Sequence, residues 1–359
     1  MRLAVACGSL GCLFPLLTSA EFSIFVDGAS TVFSEPVPIT LYEDDLEGGE
    51  YPESGHHAMT FNHMEMGVGF NGFELAYFAR EDYAFDFSEQ TFELIYRDKN
   101  QLPIAEDRSY DVYLKAQHIK AEGWRLGYRF EFAPRGSLRI SFNYLKADEL
   151  LYGTLAGEVT VDDGDINGGN LAVLYYYHEE YLLGRRVDEP ASGIGYSADL
   201  EMDVELVEGL FLTAKFHDII GEIHWDRAPY SDLRIASTHT YYDEEGYAHR
   251  DPMMTGREGY KNFKQPLPLH YELNFKKSLA YGFHLAYARE QYDKVAFNRL
   301  ILGYSLLSVV ELQAGYDFTT EATWLGVSAK GFLLQFAADD FRLDDSRALA
   351  LRIAAYWRF

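Results

Sequence analysis

Apolar and polar residues alternate along most of this chain. From Trp124 to Phe132, the residues Trp124, Leu126, Tyr128, Phe130 and Phe132 alternate with Arg125, Gly127, Arg129 and Glu131. From Ser137 to Lys146, Leu138, Ile140, Phe142 and Tyr144 fall on one face and Arg139, Ser141 and Asn143 on the other. Between Ala198 and Val207, Ala198, Leu200, Met202, Val204 and Leu206 alternate with Asp199, Glu201, Asp203 and Glu205. A period of two is the strand signal, because a helix would scatter these charges around its circumference.

Turn residues divide the alternating runs. Asn71-Gly72 is the strongest hairpin signal, since both residues tolerate the left-handed backbone of a tight turn. Glu122-Gly123, Glu208-Gly209 and Ala133-Pro134-Arg135-Gly136 read as further turns. Strands are then expected near 61–70, 73–81, 87–97, 109–121, 124–132, 137–146, 152–162, 169–179, 193–207 and 210–218. The second half continues as a regular meander, with strands near 269–277, 282–290, 296–306, 309–318, 321–329, 331–339 and 346–359. A short strand near 21–27 is available to close the sheet. The expected fold class is all-β, an up-and-down antiparallel transmembrane β-barrel of roughly 16–18 strands. Two segments interrupt the rhythm. One, Gly28 to His57, is rich in Pro and acids and has no clear period. The other is a longer outer excursion near 219–268, with extra strands possible near 219–226 and 232–242.

Composition narrows the setting. Met1-Arg2 precedes an uncharged run from Leu3 to Leu17, and Thr18-Ser19-Ala20 comes before Glu21. This is the form of a secretory signal peptide over residues 1–20, cleaved after Ala20 and leaving 21–359 as the barrel. Both cysteines, Cys7 and Cys12, lie in that signal, so the exported chain relies on neither disulfides nor thiolate metal sites. Beyond the signal, the longest clear apolar stretch is Leu300 to Val310, about half of what a spanning helix needs. Only a closed barrel then satisfies the backbone within lipid. The 31 Lys and Arg against 56 Asp and Glu argue against nucleic acid as a partner. Aromatic residues make up 16% of the chain, which excludes a disordered acidic tail and suits aromatic girdles beside charged loops.

The chain ends with Leu349, Leu351, Ile353, Ala355, Trp357 and Phe359 on one face. This resembles the C-terminal strand of Gram-negative outer-membrane β-barrel proteins, in a porin-like setting but with no narrower family. The resemblance implies a closing strand, location in the outer membrane, contact with its lipid, and Phe359 and Trp357 as the signal read by the barrel-assembly machinery.

In a barrel the polar face of each strand lines the lumen. Lys115, Arg125, Arg129 and Arg139, read as coming from three consecutive strands, would form a basic patch on one wall. Asp199, Glu201, Asp203 and Glu205 would form an acidic ladder with steps of about 6.8 Å. Opposed charges on two walls would set up a transverse field able to sort ions, although solvated wall residues or internal salt bridges account for the same pattern. Lys215 and His217 share the odd phase, whereas Glu222, His224 and Asp226 are even. That phase change calls for a bulge, with Gly221 as its expected place. Glu222, His224 and Asp226 are also the candidate metal ligands or acid/base groups, weighed against a plain solvated strand face. No nucleophile motif, phosphate loop or zinc spacing marks an enzyme, and no cofactor is expected. The functional expectation is a channel or transporter for small, cationic or neutral polar solutes. The alternatives are a transporter of hydrophobic compounds plugged by residues 28–57, a structural or adhesive barrel, and a rim enzyme.

Overall fold

The computed structural model describes residues 21–48, 51–104, 107–132, 135–180, 182, 184–237, 241–242, 248–249, 254–306 and 309–359. The expected signal peptide, 1–20, lies outside the described residues. In chain order the elements are β1 (Phe22–Ser34), α1 (Thr40–Glu43), β2 (His57–Phe70), β3 (Phe73–Phe87), α2 (Glu89–Lys99), β4 (Ser109–Phe132), β5 (Gly136–Asp162), β6 (Asp165–Tyr177) and β7 (Ser192–Val207). They continue with β8 (Leu210–Ser237), β9 (Tyr241–Tyr242), β10 (Ala248–His249), β11 (Met254–Pro266), β12 (His270–Ser278), a 3-10 turn at Ala280–Gly282, and β13 (Phe283–Tyr292). The last five are β14 (Val295–Leu306), β15 (Val310–Asp317), β16 (Thr323–Ala329), β17 (Phe332–Ala338) and β18 (Ala348–Arg358).

All but β9 and β10 belong to one antiparallel sheet of 16 strands. Fourteen of them close the wall in the order β12 to β18, then β1 to β5, then β7 and β8, which pairs again with β12. The first and last strands meet at the seam, where Ser23 to Phe33 pair with Arg358 to Ala348. The other two strands lie in series with a neighbour. The lower half of β5 pairs with β7 and its upper half with β6. Likewise β8 holds β12 along its lower part and β11 along its upper part. The barrel is therefore tall on one side, where β4, β5 and β8 run 24, 27 and 28 residues. It is low on the other, where β15, β16 and β17 run 8, 7 and 7.

The outward face explains why such a sheet sits in lipid. Met64, Met66, Val68 and Phe70 on β2, and Trp124, Leu126, Phe130 and Phe132 on β4, are all about half exposed. A contiguous apolar band of this kind is a membrane surface when the lumen is closed off from it. Its upper edge is an aromatic row in register across four strands: Tyr77, Trp124, Tyr144 and Tyr196. Two residues higher the row becomes Glu122, Lys146, Ile194, His224 and Lys264, mostly charged and hence in water. Both ends of the described chain and the short turns lie at the opposite mouth, the one the expected topology places on the inner side. There Asn71 and Gly72 take φ of 49° and 84°, the two left-handed residues of the turn type their sequence favours.

Several sequence expectations change. Most of the strand expected over 87–97 is instead helix α2, Glu89–Lys99, which follows the end of β3 at Phe87. Ser88 caps it by accepting from the Thr91 amide at 3.1 Å, and Arg97 and Lys99 sit in its last turn. Glu122-Gly123 is not a turn, and 109–121 with 124–132 make one strand. A Cβ at Gly123 would come within 2.8 Å of the Phe78 ring, so that glycine makes room for an inward aromatic. The runs 137–146 and 152–162 are likewise one strand, bent by a bulge at Asp148. The possible strands near 219–226 and 232–242 are largely the upper part of β8, which ends at Ser237. Residues 28–34 belong to β1. Residues after Ser34 carry Val37 and Leu41 onto the outer surface, where they pack with Phe87, Phe92 and Tyr96. The described residues of 28–57 therefore contribute wall and rim, and those that pack with Phe87, Phe92 and Tyr96 lie outside the lumen.

Candidate functional site in the lumen

The inward positions of the lower barrel enclose a cavity of about 990 Å³ that reaches the inner mouth at Ser305, Val310 and Lys330. Its lining is organised as ion pairs between strands one to three places apart in the wall. Arg125 on β4 holds Glu65 on β2 at 2.6 Å. Arg139 on β5 reaches Glu74 on β3 at 2.6 Å and also contacts Glu201 on β7. Lys215 on β8 pairs with Glu272 on β12 at 3.0 Å, and Arg352 on β18 with Asp27 on β1 at 2.7 Å. Nearer the mouth, Lys276 and His284 share Glu311 at 3.0 and 3.2 Å.

At mid-height the side chains of distant strands meet. Arg80 on β3 bonds Asp218 on β8 at 2.6 Å while also holding Asp82, and all three side chains are at most 7% exposed. Arg352 comes within 3.9 Å of Glu272 across the lumen, since β18 and β12 lie on opposite sides of the wall. The Phe61 ring on β2 stands 4.6 Å from His270 on β12 and 5.4 Å from Tyr292. Beside these contacts apolar side chains crowd the lumen around one buried charge set, in which Arg299 holds Glu290 at 2.8 Å and Asp317 at 3.0 Å. Phe33 meets Phe297 edge-on at 5.7 Å, within a cluster that includes Met59, Val295, Ile301 and Trp324. A second cluster, with Ile119, Leu145, Leu150, Ile223 and Trp225, fills the tall side. The polar vestibule is thus roofed by aromatic and aliphatic side chains.

The acidic ladder is distributed over this scheme. Asp199 lines the cavity and accepts from Asn143 Nδ2 at 2.8 Å and from the Asp218 amide at 3.0 Å. Glu201 lines it beside Arg139. Asp203 accepts from the Thr213 hydroxyl at 2.8 Å and lies 3.7 Å from Arg129. Glu205 accepts the Gly209 amide at 2.9 Å, closing the turn between β7 and β8. Among the basic set, Arg125, Arg129 and Arg139 line the cavity, whereas Lys115 stands higher on β4, opposite Asp86 of β3. These four come from two strands, not three. Because β5 and β7 are neighbours, with Arg139 directly opposite Glu201, acids and bases interdigitate on one wall. The transverse field expected from opposed walls is replaced by local neutralisation.

The phase change on β8 is present but lies earlier than Gly221. Asp218 takes φ of 56°, and the pairing slips between Ala198 and Leu200, so the extra residues are 217–219. The bulge points Asp218 at Arg80 and carries Glu222, His224 and Asp226 to the outer face. There Glu222 and His224 lie in mutual contact, with Lys264 3.0 Å from Glu222. Sequence periodicity could not find Arg80, Asp82 or Asp218, since nothing along the chain signals that two strands four places apart in the wall will touch.

At the C-terminus, Trp357 and Phe359 face outward at 53% and 73% exposure. The Phe359 amide donates to the Phe22 carbonyl at 2.8 Å, and the two rings lie 6.0 Å apart.

Closed antiparallel wall, apolar exterior, aromatic row and charged lumen together define an outer-membrane β-barrel. No protein-family model matches the chain, and no curated protein matches it. Among solved structures it is similar to the toluene transporter TodX of Pseudomonas putida, at 10% identity and a TM-score of 0.41, covering 94% of this chain and 89% of that one. A monoaromatic hydrocarbon channel mutant of TodX gives 8% and 0.43, with 94% and 89% covered. The translocator domain of the autotransporter NalP from Neisseria meningitidis gives 9% and 0.30, with 95% and 88% covered.

Proposed function

We propose that the protein is an outer-membrane transporter whose lumen is closed in its resting state and opens for small compounds with a substantial apolar part. The carrying observation is the layering of the lumen: a vestibule of paired charges beneath a roof formed by Phe33, Phe61, Phe297 and Trp324. An unpaired acidic ladder would favour cations, but here the acids are engaged by Arg139, Asn143, Thr213 and a backbone amide. A solute that passes must displace or slide along aromatic rings, and apolar surface makes that transfer favourable. A second reading, a channel for neutral polar solutes, draws on the vestibule, where alternating charges would solvate dipolar molecules.

Two measurements on the purified barrel test this. Titration calorimetry with a small aromatic probe such as benzyl alcohol should give saturable binding that Phe61→Ala and Trp324→Ala weaken at least tenfold. Planar-bilayer recording of the unmodified protein should give little steady current. Steady ohmic conductance without aromatic binding would favour the polar channel, and neither binding nor conductance would leave a structural barrel. The division into a signal over 1–20 and a barrel over 21–359 belongs to the same proposal, and the N-terminal residue of the membrane-inserted protein checks it.

A further inference from the structure

We propose that His118, Glu149 and His178 form a zinc site on the outside of the tall wall, just above the membrane band. The three residues come from β4, from β5 and from the residue that follows β6. One ligand atom of each lies within 4.8 Å of the others. Glu149 Oε2 is 4.0 Å from His118 Nε2 and 3.7 Å from His178 Nε2. Tetrahedral zinc with bonds of about 2.0–2.2 Å separates its ligands by about 3.3 Å, so the pairs must close by about 0.4–1.5 Å for the site to form.

Three features show construction at this point. First, the bulge at Asp148 reverses the phase of β5. Leu145 and Ala147 point inward before it, and Glu149 points outward after it, beside Lys120 and His118. Bulges recur where a strand must re-aim one side chain. Second, the His118 side chain is only 1% exposed, and its Nε2 is buried with no hydrogen-bond partner, directed at the two carboxylates Glu149 and Glu81. A buried polar atom left unsatisfied is destabilising, and a bound cation would remove that cost. Third, both imidazoles are held by a second contact. His118 stacks on Tyr83 with ring centroids 3.9 Å apart, and His178 Nδ1 lies 3.1 Å from the Leu150 carbonyl oxygen. Such outer contacts orient metal-binding histidines.

Two imidazoles and a carboxylate are a ligand set for zinc in preference to magnesium or calcium. Glu81, with Oε1 3.6 Å from His118 Nε2, or a water would complete the coordination. Lys120 competes, because its ammonium lies 2.6 Å from Glu149 Oε1. A bound zinc would tie β4 and β5 to the start of the segment between β6 and β7.

The test is zinc titration of the chelator-treated, folded barrel in detergent, followed by calorimetry, with heat-modifiable migration as the check of folding. One equivalent should bind to the unmodified protein. His118→Ala with His178→Ala should weaken that equivalent at least tenfold. Glu149→Gln, at a more exposed position, serves the same purpose if the histidine variant does not fold. Lys120→Met removes the competing cation and should tighten binding severalfold. Absence of zinc uptake by the unmodified barrel, or undiminished binding in the folded His or Glu variants, overturns the proposal. So does an affinity unchanged by Lys120→Met, because Glu149 would then not be a ligand.

Discussion

The two sides of this barrel are built from the same alternating pattern and solve different problems. On the low side, β12 to β18 are strands of 7 to 12 residues, at or slightly below the roughly 9–11 residues a spanning strand needs. Their outward residues meet lipid over most of their length, and their inward ones meet the lumen. On the tall side, β4, β5 and β8 continue beyond the charged row into water, where one outward face no longer suits both environments. The chain answers with bulges at Asp148 and 217–219, with paired half-length strands in series, and with α2 laid on the exterior. Val159, Val161, Tyr110 and Leu94 form that external cluster. Uniform surroundings permit uniform alternation, and a change of surroundings demands a change of phase.

The largest expected effect separates the buried triad from an exposed pair. Arg80→Ala would leave Asp82 and Asp218 buried without their cation, at a cost of about 3–5 kcal/mol. Folded yield should collapse by heat-modifiable migration. Arg342→Ala, whose partner Asp345 is half exposed on a low-side outer loop, should change it by less than about 1 kcal/mol. Equal losses would mean the triad contributes no more than a surface pair.

Next comes the seam. Deleting Phe359 removes the amide contact to Phe22 and one edge of the terminal aromatic pair. Folded barrel in cell membranes should fall severalfold, while refolding of the purified chain in detergent should change little. If both stay normal, Phe359 has no role in assembly.

The turns offer a sharper contrast. Gly331 takes φ of 85°, and a Cβ there would come within 2.1 Å of the Tyr356 carbonyl oxygen; at Gly164, with φ of 78°, the nearest atom would be 3.7 Å away. Gly164→Ala should cost about 1–2 kcal/mol from backbone strain alone. Gly331→Ala should cost more, read as the difference in denaturant midpoint of the folded barrel. A reversed order would show that the low-side turn relaxes more readily than its close contact implies.

The smallest expected effect concerns orientation. A cysteine at Gly184, beyond the upper end of β6, should react with an impermeant thiol reagent on intact cells, and one at Lys330 should not. The opposite result would invert the barrel. Gly246, in the long excursion, lies outside the described residues.

The low side was almost wholly legible from the sequence. The strands expected near 282–290, 296–306 and 331–339 lie within one or two residues of β13, β14 and β17. There, short turns and a single phase leave period two undisturbed. The tall side was misread for identifiable reasons. Gly123 looked like a turn because glycine also serves where an aromatic side chain packs close. Helix α2 looked like a strand because Phe92, Leu94 and Tyr96 alternate, although Ser88 at its start and the basic residues in its last turn were helix signals. The lumen was read as a set of single-strand stripes, and this gave inward faces for Asp199, Glu201, Arg125 and Arg139 but not their partners.

Local alternation, turn residues and a terminal aromatic depend on neighbours within a few positions, so the sequence by itself determined a membrane barrel and which face of most strands looks outward. Wall order, strand stacking and cross-lumen contact depend on closure of the whole sheet. Only closure brings Arg80 to Asp218, Phe61 to His270 and Arg352 to Glu272. That is why the state of the lumen, paired and roofed instead of open and acidic, was decided by the tertiary structure.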